Sequence, residues 1–269
     1  MNKDLQDRTE NGLYLYGVSL GASNGDQLSE EDLKLKGLLG GGIFTLASRG
    51  LTAVVQECDS SFSTEDPKRV SEWVLIHQSV VDAAWEKFET IIPFGFGTVI
   101  VSKEGRSARE NLIDWLAREG ESLKRKLEKL KGRAEYGIQI SWNPELMVPR
   151  VTKNDVMIQR LKEEICSKAP GTAYLLKQRL ENLLSKRLEI AADAYFKEFY
   201  QKLSGCVEQV RVEKVRKEEA PLQMLMNLSC LTEKRNLLNL SAELDKLSKI
   251  EGFFVRFTGP WPPYSFVSV

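Results

Sequence analysis

The chain has 269 residues, 42% of them hydrophobic and 28% charged, enough apolar material for one large domain or two of ordinary size. Lys plus Arg and Asp plus Glu number 38 each, so the net charge is zero and no field over the whole molecule favours nucleic acid, anionic lipid or acidic substrates. Cys58, Cys166, Cys206 and Cys230 are far apart with no C-x-x-C, which argues against a zinc site or a dense disulfide framework and for buried thiols in a reducing compartment.

In chain order, the polar start MNKDLQDRTENG lacks the apolar run of a secretory leader, and no stretch approaches the roughly 18 apolar residues of a spanning helix. An intracellular protein outside the lipid membrane is expected. Leu13 to Leu20, LYLYGVSL, reads as a strand ended by GASNGD, and the acidic segment Glu30 to Lys36 leads into GLLGGG. IFTLAS and LTAVVQEC flank Arg49-Gly50 and form a predicted hairpin. Pro67 starts a helix in which Val70, Trp73, Val74, His77, Val80, Val81 and Ala84 recur at helical spacing. TIIPFGFGTVIV then reads as an extended segment, with Pro93 better suited to an edge than to a central strand.

From about 106 to 131, Ala108, Leu112, Leu116, Leu123, Leu127 and Leu130 mark a helical stripe, interrupted by Gly120, that bridges to a second domain. RAEYGIQISW is the next strand, followed by an insertion with a short helical stretch and a long helix from about Thr172 to Leu203. Leu176, Leu180, Leu184, Leu188, Ala191, Tyr195 and Phe199 give that helix a continuous apolar stripe suited to packing on a sheet. CVEQVRVEKV and LQMLMNLSCL are strands, Glu233 to Ser248 is a helix, and GFFVRF is the last strand. Strand, helix, strand, strand, helix, strand is the ferredoxin-like βαββαβ order. The predicted class is therefore α+β. A first domain over 1–131 carries a small sheet with a helix and the bridging helix, and a modified ferredoxin-like domain spans 132–269, with a tail over 259–269 docking back.

No catalytic, cofactor-binding or metal constellation emerges. His77 is the sole histidine and sits on an apolar helix face, where a structural role outweighs that of a general base. KGLLGGGIF has glycines that could cradle phosphate, but no Gly-Lys-Ser/Thr follows and the next element is a strand. The ferredoxin-like order is shared with RNA-recognition modules, and GFFVRF resembles their aromatic strand. It lacks the small residue between the aromatics, however, and lies on the final strand. The basic cluster KRKLEKLKGR fits the solvated face of an amphipathic helix.

The tail is the most distinctive stretch. Phe253, Val255 and Phe257 project to one face of the last strand, leaving Phe254 on the other. Gly259 is expected to end the strand, and Pro260, Pro262 and Pro263 stiffen the residues beyond it. Trp261, Pro262, Pro263, Tyr264 and Phe266 are candidates either for a clasp between the domains or for a partner contact, as a P-x-x-P ligand or apolar anchor.

TGPWPPYSFV at 258 to 267 resembles the near-terminal signature of the gas vesicle protein F/L family. YLYGV at 14 to 18, LTAVV at 51 to 55, PFGFGTV at 93 to 99, GRAEYGIQI at 132 to 140 and PGTAYLLKQR at 170 to 179 match it in the same order. The chain departs from the family in carrying Gly95 where an arginine is common, and it matches the family only loosely over MLMNLSCLTEKRN. The resemblance implies a two-domain α+β protein without catalysis or cofactor. It also implies a role in assembling gas vesicles, the hollow protein-walled buoyancy organelles of prokaryotes. Implied partners are the small hydrophobic shell subunit and other gas vesicle accessory proteins, with binding that helps nucleation or limits aggregation. The implied location is the gas vesicle, and the cytoplasm before assembly. Phe94, Phe96 and Val99, on the strand expected over 94–99, are candidates for shell contact, because an open sheet edge can add a strand. Near-zero charge leaves self-association open. The competing function is that of an unrelated ferredoxin-like module that binds protein or RNA.

Overall fold

The structure, a computed structural model, describes residues 11–21, 35–59 and 66–267. Most of the predicted turn after Leu20 and of the acidic lead-in from Glu30 lies outside them. Two compact units are present, one formed by Met1–Glu135 with Pro260–Val269 and the other by Tyr136–Gly259.

The first unit is built on β1 (Asn11–Leu20), β2 (Ile43–Ser48), β3 (Leu51–Asp59), β4 (Ile92–Pro93) and β5 (Val99–Ile100), in the order β2-β3-β1-β4, with β5 also paired to β1. The hairpin of β2 and β3 turns on Arg49 and Gly50, with φ of 48° and 79°, the pair of left-handed conformations that suits strand twist. Helix α1 (Pro67–Phe88) starts at Asp66, whose side chain accepts the Lys68 N–H, and buries Trp73, His77, Val80, Val81 and Ala84. Helix α2 (Ala108–Leu130) starts at a reciprocal capping box between Ser107 and Glu110. The two helices cover opposite faces. Ile43 packs in the α1 cluster, whereas its neighbour Phe44, pointing the other way, lies under the Arg109 guanidinium of α2. With both faces covered, β1 buries every residue from Gly12 to Val18 and shows no alternation.

Two expectations for this unit need correction. Gly120 does not interrupt α2: the helix runs through it, and its bare Cα faces Leu51, where an added Cβ would stand 4.0 Å from the Leu51 Cδ1. The strand expected over 94–99 is not one strand. Pro93 pairs with Gly17 and Val99 with Tyr14, but Gly95 to Gly97 loop out between them, while the Phe94 N–H still donates to the Tyr16 carbonyl and the Leu15 N–H to the Thr98 carbonyl, each at 2.9 Å, so of the three candidate contact residues only Val99 is in a strand. Pro93 does sit at the edge, where its missing N–H goes unneeded.

The second unit follows β6 (Arg133–Trp142) with α3 (Pro144–Thr152), α4 (Val156–Ser167), α5 (Pro170–Ser204), β7 (Gln209–Val212), β8 (Gln223–Glu233), α6 (Leu237–Ser248) and β9 (Phe253–Trp261). Its sheet has the order β7-β8-β6-β9. Ile138, Ile140 and Trp142 of β6 meet Met226, Leu228 and Cys230 of β8, with Phe199 and Leu203 of α5 and Leu240, Leu244 and Leu247 of α6 closing the core. Only the second half of α5 packs on this sheet, from Leu188 onward. Its first half packs on α4, where Ile158 and Leu161 are buried and Arg187 pairs with Asp155 at 2.6 Å. The stripe is continuous as expected, but it serves two different neighbours. β9 also outlasts its predicted end, running through Gly259 (φ 114°) to Trp261. Phe257 is not core: it stacks on Tyr136 at 5.4 Å and stays 40% exposed.

Candidate functional site

Tyr14 and Tyr16 enter the interior from β1 and meet His77, placed by α1. Two positions apart on the strand, both tyrosines face the same side, and a bulge between Leu15 and Gly17 adds one residue to β1 beside them. Their rings lie 4.9 Å apart, and Tyr16 stacks on the imidazole at 5.4 Å. The proton positions follow from the partners. The Phe94 carbonyl can only accept, so His77 Nε2 carries the proton and donates to it at 3.1 Å. Nδ1 then accepts from the Tyr14 hydroxyl at 2.9 Å, and the same hydroxyl oxygen accepts the Gly97 N–H at 2.9 Å. The imidazole is neutral with both nitrogens engaged.

Burial drives these groups away from charge. It drops His77 to about 4, although the hydrogen bond to Phe94 pulls the other way. It lifts the Tyr14 hydroxyl to about 12, against the opposing effect of the Gly97 N–H, and raises Tyr16 as well. Cys58, beside them, is raised chiefly by burial. None of these groups is poised to exchange a proton with a substrate near neutral pH. Tyr16 donates to Gln56 Oε1 at 2.7 Å, Gln56 Nε2 donates to the Leu38 carbonyl at 2.7 Å, and the Leu38 N–H donates to Tyr16 at 3.2 Å. That closed ring holds the glycine-rich turn. A Cβ at Gly37 would meet Gln56 at 2.0 Å and one at Gly41 would meet it at 2.3 Å, so the glycines admit a side chain rather than a phosphate.

The network pins the Phe94–Thr98 turn at both ends. His77 holds Phe94 and Tyr14 holds Gly97, while the Thr98 N–H and hydroxyl both donate to the Gly95 carbonyl, at 3.2 and 2.7 Å. Phe94 turns inward, edge-on to Trp115 at 5.8 Å. Phe96 meets Tyr14 and His77 edge-on yet remains 37% exposed. The turn therefore offers one aromatic on a fixed backbone at a sheet edge.

The tail residues belong to this same unit. Pro262 and Pro263 are buried, and Tyr264 packs against the cluster of Tyr14, Val80 and Ala84. Burial raises the Tyr264 hydroxyl, with the Asp82 charge adding to it. Ser265 grips Glu135 with two bonds, its N–H to Oε2 at 2.7 Å and its hydroxyl to Oε1 at 2.6 Å. Phe266 is half-buried, and Trp261 is 37% exposed. Asp82 Oδ1 is buried without a hydrogen-bond partner among the described residues, and burial raises that carboxyl. No group of His, Cys, Asp and Glu that could hold a metal occurs among the described residues. No described helix is long and apolar enough to cross a membrane.

A family model described as gas vesicle synthesis protein GvpL/GvpF matches residues 12–268. The chain belongs to the GvpL/GvpF family. Gas vesicle protein L1 of Halobacterium salinarum is 29% identical over 270 residues, covering 97% of this chain and 92% of that protein. Gas vesicle protein L2 of the same organism is 31% identical, covering 81% and 78%. In fold, the crystal structure of the gas vesicle protein GvpF from Anabaena sp. PCC7120 aligns with a TM-score of 0.75 at 18% identity, covering 96% of this chain and 99% of that one. Membership of the GvpL/GvpF family links the chain to gas vesicle formation.

Sequence patterns named the aromatics of the GvpL/GvpF tail and of the 94–98 turn but missed what holds them. Tyr14 and His77 are 63 positions apart, and Glu135 and Ser265 are 130 apart. The available signal was a polar His77 on an otherwise apolar stripe, since such a residue needs a buried partner.

Proposed function

We propose that this protein is a non-catalytic accessory factor of gas vesicle assembly and a minor vesicle component. In this role it binds the small hydrophobic shell subunit and helps its nucleation or limits its aggregation. The match of residues 12–268 to the gas vesicle synthesis family carries the proposal. Capturing an apolar subunit calls for an exposed apolar anchor on a rigid support, and Phe96 on its pinned turn supplies one. Phe94 braces that turn from within, and Val99 continues it into the paired edge. Trp261, Pro262, Pro263, Tyr264 and Phe266 act as a clasp that closes the tail onto the first unit, and the chain passes from the first domain to the second near residue 132. The second domain is ferredoxin-like, supported by its βαββαβ order and by the strand order β7-β8-β6-β9, in which the first and third strands are central. Other gas vesicle accessory proteins are further partners. The protein resides in the cytoplasm before assembly and on the vesicle after it.

Co-purification with the shell subunit tests the contact. Gly95→Glu places a charge in open space beside Phe96 without touching the core, and Phe96→Ser removes the anchor. Both are expected to lower recovery of the shell subunit, and wild-type recovery from both would overturn the assignment. Deleting 259–269 is expected to lower heat stability while the remaining protein still binds. Loss of binding in a deletion variant as heat-stable as wild type would contradict the clasp.

A further inference from the structure

We propose that the second unit carries a separate docking groove, along the flank of α5 beside the sheet, for a cationic amphipathic helix of a partner protein. The groove is a cleft of about 440 Å³. One wall comes from α5 alone, through Ser185, Leu188, Glu189, Ala192, Asp193 and Phe196. Alternating steps of three and one keep these residues on one helix face about 16 Å long, at 1.5 Å per residue. The facing wall includes Trp142, Pro144, Val215 and Met224. Val215 is 58% exposed, so the apolar lining opens to solvent.

Two parallel rows run along this face. Leu188, Ala192 and Phe196 stand four apart and form an apolar row, while Ser185, Glu189 and Asp193 form a polar row beside it. Rows spaced by four are the ridges into which a second helix packs. Glu189 and Asp193 are the only charged side chains lining the cleft among the described residues, and neither has an ion pair or hydrogen bond there. Elsewhere on α5, Arg187 pairs with Asp155 of the neighbouring helix and Glu198 with Lys202 one turn along. Two carboxylates one turn apart repel each other, a small penalty that a cationic neighbour would reverse. Lys186 and Lys197 stand one turn from Glu189 and Asp193 on α5 without pairing with them, Lys214 and Arg216 flank Val215, and none of the four lines the cleft. An apolar row with an unneutralised acidic row along it fits a helix with Leu-like residues on one face and Lys or Arg on the flank. The groove uses no residue assigned above to shell contact, so either proposal can fail alone.

The test uses the full chain and a fluorescently labelled Leu/Lys amphipathic peptide of about four turns, followed by anisotropy. Binding is expected for the Leu/Lys peptide and not for a Leu/Glu peptide of the same pattern. The double variant Glu189→Lys/Asp193→Lys changes two exposed side chains, so the fold should persist by circular dichroism. It is expected to weaken binding roughly tenfold, the effect of losing two partly screened ion pairs. Glu163→Lys/Glu164→Lys on α4 makes the same change in net charge away from the cleft and should leave affinity unchanged. The proposal falls if the groove variant binds like wild type, if the α4 variant loses as much, or if the Leu/Glu peptide binds equally. A wild-type dimer that Glu189→Lys/Asp193→Lys converts to monomer would overturn it too, by assigning the groove to a second copy of the chain.

Discussion

In the first unit the central strand takes polar side chains into the interior, where Tyr14, Tyr16 and Ser19 each find a partner in His77, Gln56 and the Thr90 carbonyl. In the second unit the corresponding surface of β6 buries Ile138, Ile140 and Trp142 against Phe199, Leu203 and Phe253, with Phe199 edge-on to Phe253 at 5.1 Å and Trp142 tilted against Phe253 at 6.3 Å. The apolar core gains by burial, and burial has no direction. The polar network gains less per contact but fixes particular backbone atoms, those of Phe94, Gly97 and Leu38. The difference explains why the first unit can hold short unpaired turns rigid, whereas the second relies on long regular elements. It also predicts that the two units respond to different perturbations.

The largest effect should come from the apolar core. Phe199 is fully buried and touches Tyr195 and Phe253, so Phe199→Ala should destabilise the second unit by about 3–5 kcal/mol. Chemical denaturation followed through the tryptophans measures it. A loss under ~1 kcal/mol would mean that the core collapses to fill the cavity.

Acid should strike the other unit. An unfolded chain protonates its histidine near pH 6.5, while buried His77 waits until about pH 4. Between those values the unfolded state binds more protons, so stability falls as pH drops through this window and levels off below it. At about 1.4 kcal/mol per unit the loss is roughly 3 kcal/mol. Asp82, whose carboxyl is raised by burial, acts in the opposite sense, since the folded state holds its proton more firmly. Comparing wild type with His77→Gln cancels the Asp82 contribution. The variant should be less stable at pH 7 and flatter between pH 7 and 4, and equal slopes would count against a neutral buried ring.

Much of this division was legible in the sequence, and the rest was not for physical reasons. The hairpin at Arg49-Gly50 and the helices after Pro67 and Ser107 follow from local turn and capping chemistry together with apolar period. The stripe from Leu176 to Phe199 has the same spacing whether it meets a sheet or another helix, so the change of neighbour at Leu188 carries no local mark. The splitting of the edge strand into β4 and β5 is dictated by hydrogen bonds from Tyr14 and His77, which are remote in sequence. Gly259 reads as a strand breaker, yet its left-handed φ is accommodated and β9 continues to Trp261.

The smallest effects sharpen the comparison most, because they separate two glycines on one pinned turn. Gly97 has φ of 87°, a region that disfavours any side chain, although the space around it is open. Gly97→Ala should therefore destabilise the first unit by about 1–2 kcal/mol through backbone strain alone. Gly95 has no positive φ and nothing within 4 Å of an added Cβ. Gly95→Arg should change stability by less than about 0.5 kcal/mol. Thermal melts of the two variants side by side test the pinned turn directly. If Gly95→Arg proved as damaging as Gly97→Ala, the turn would not have the conformation that the Tyr14 and His77 bonds impose. If both were silent, the turn would be free to relax, and a rigid support for Phe96 would be lost with it.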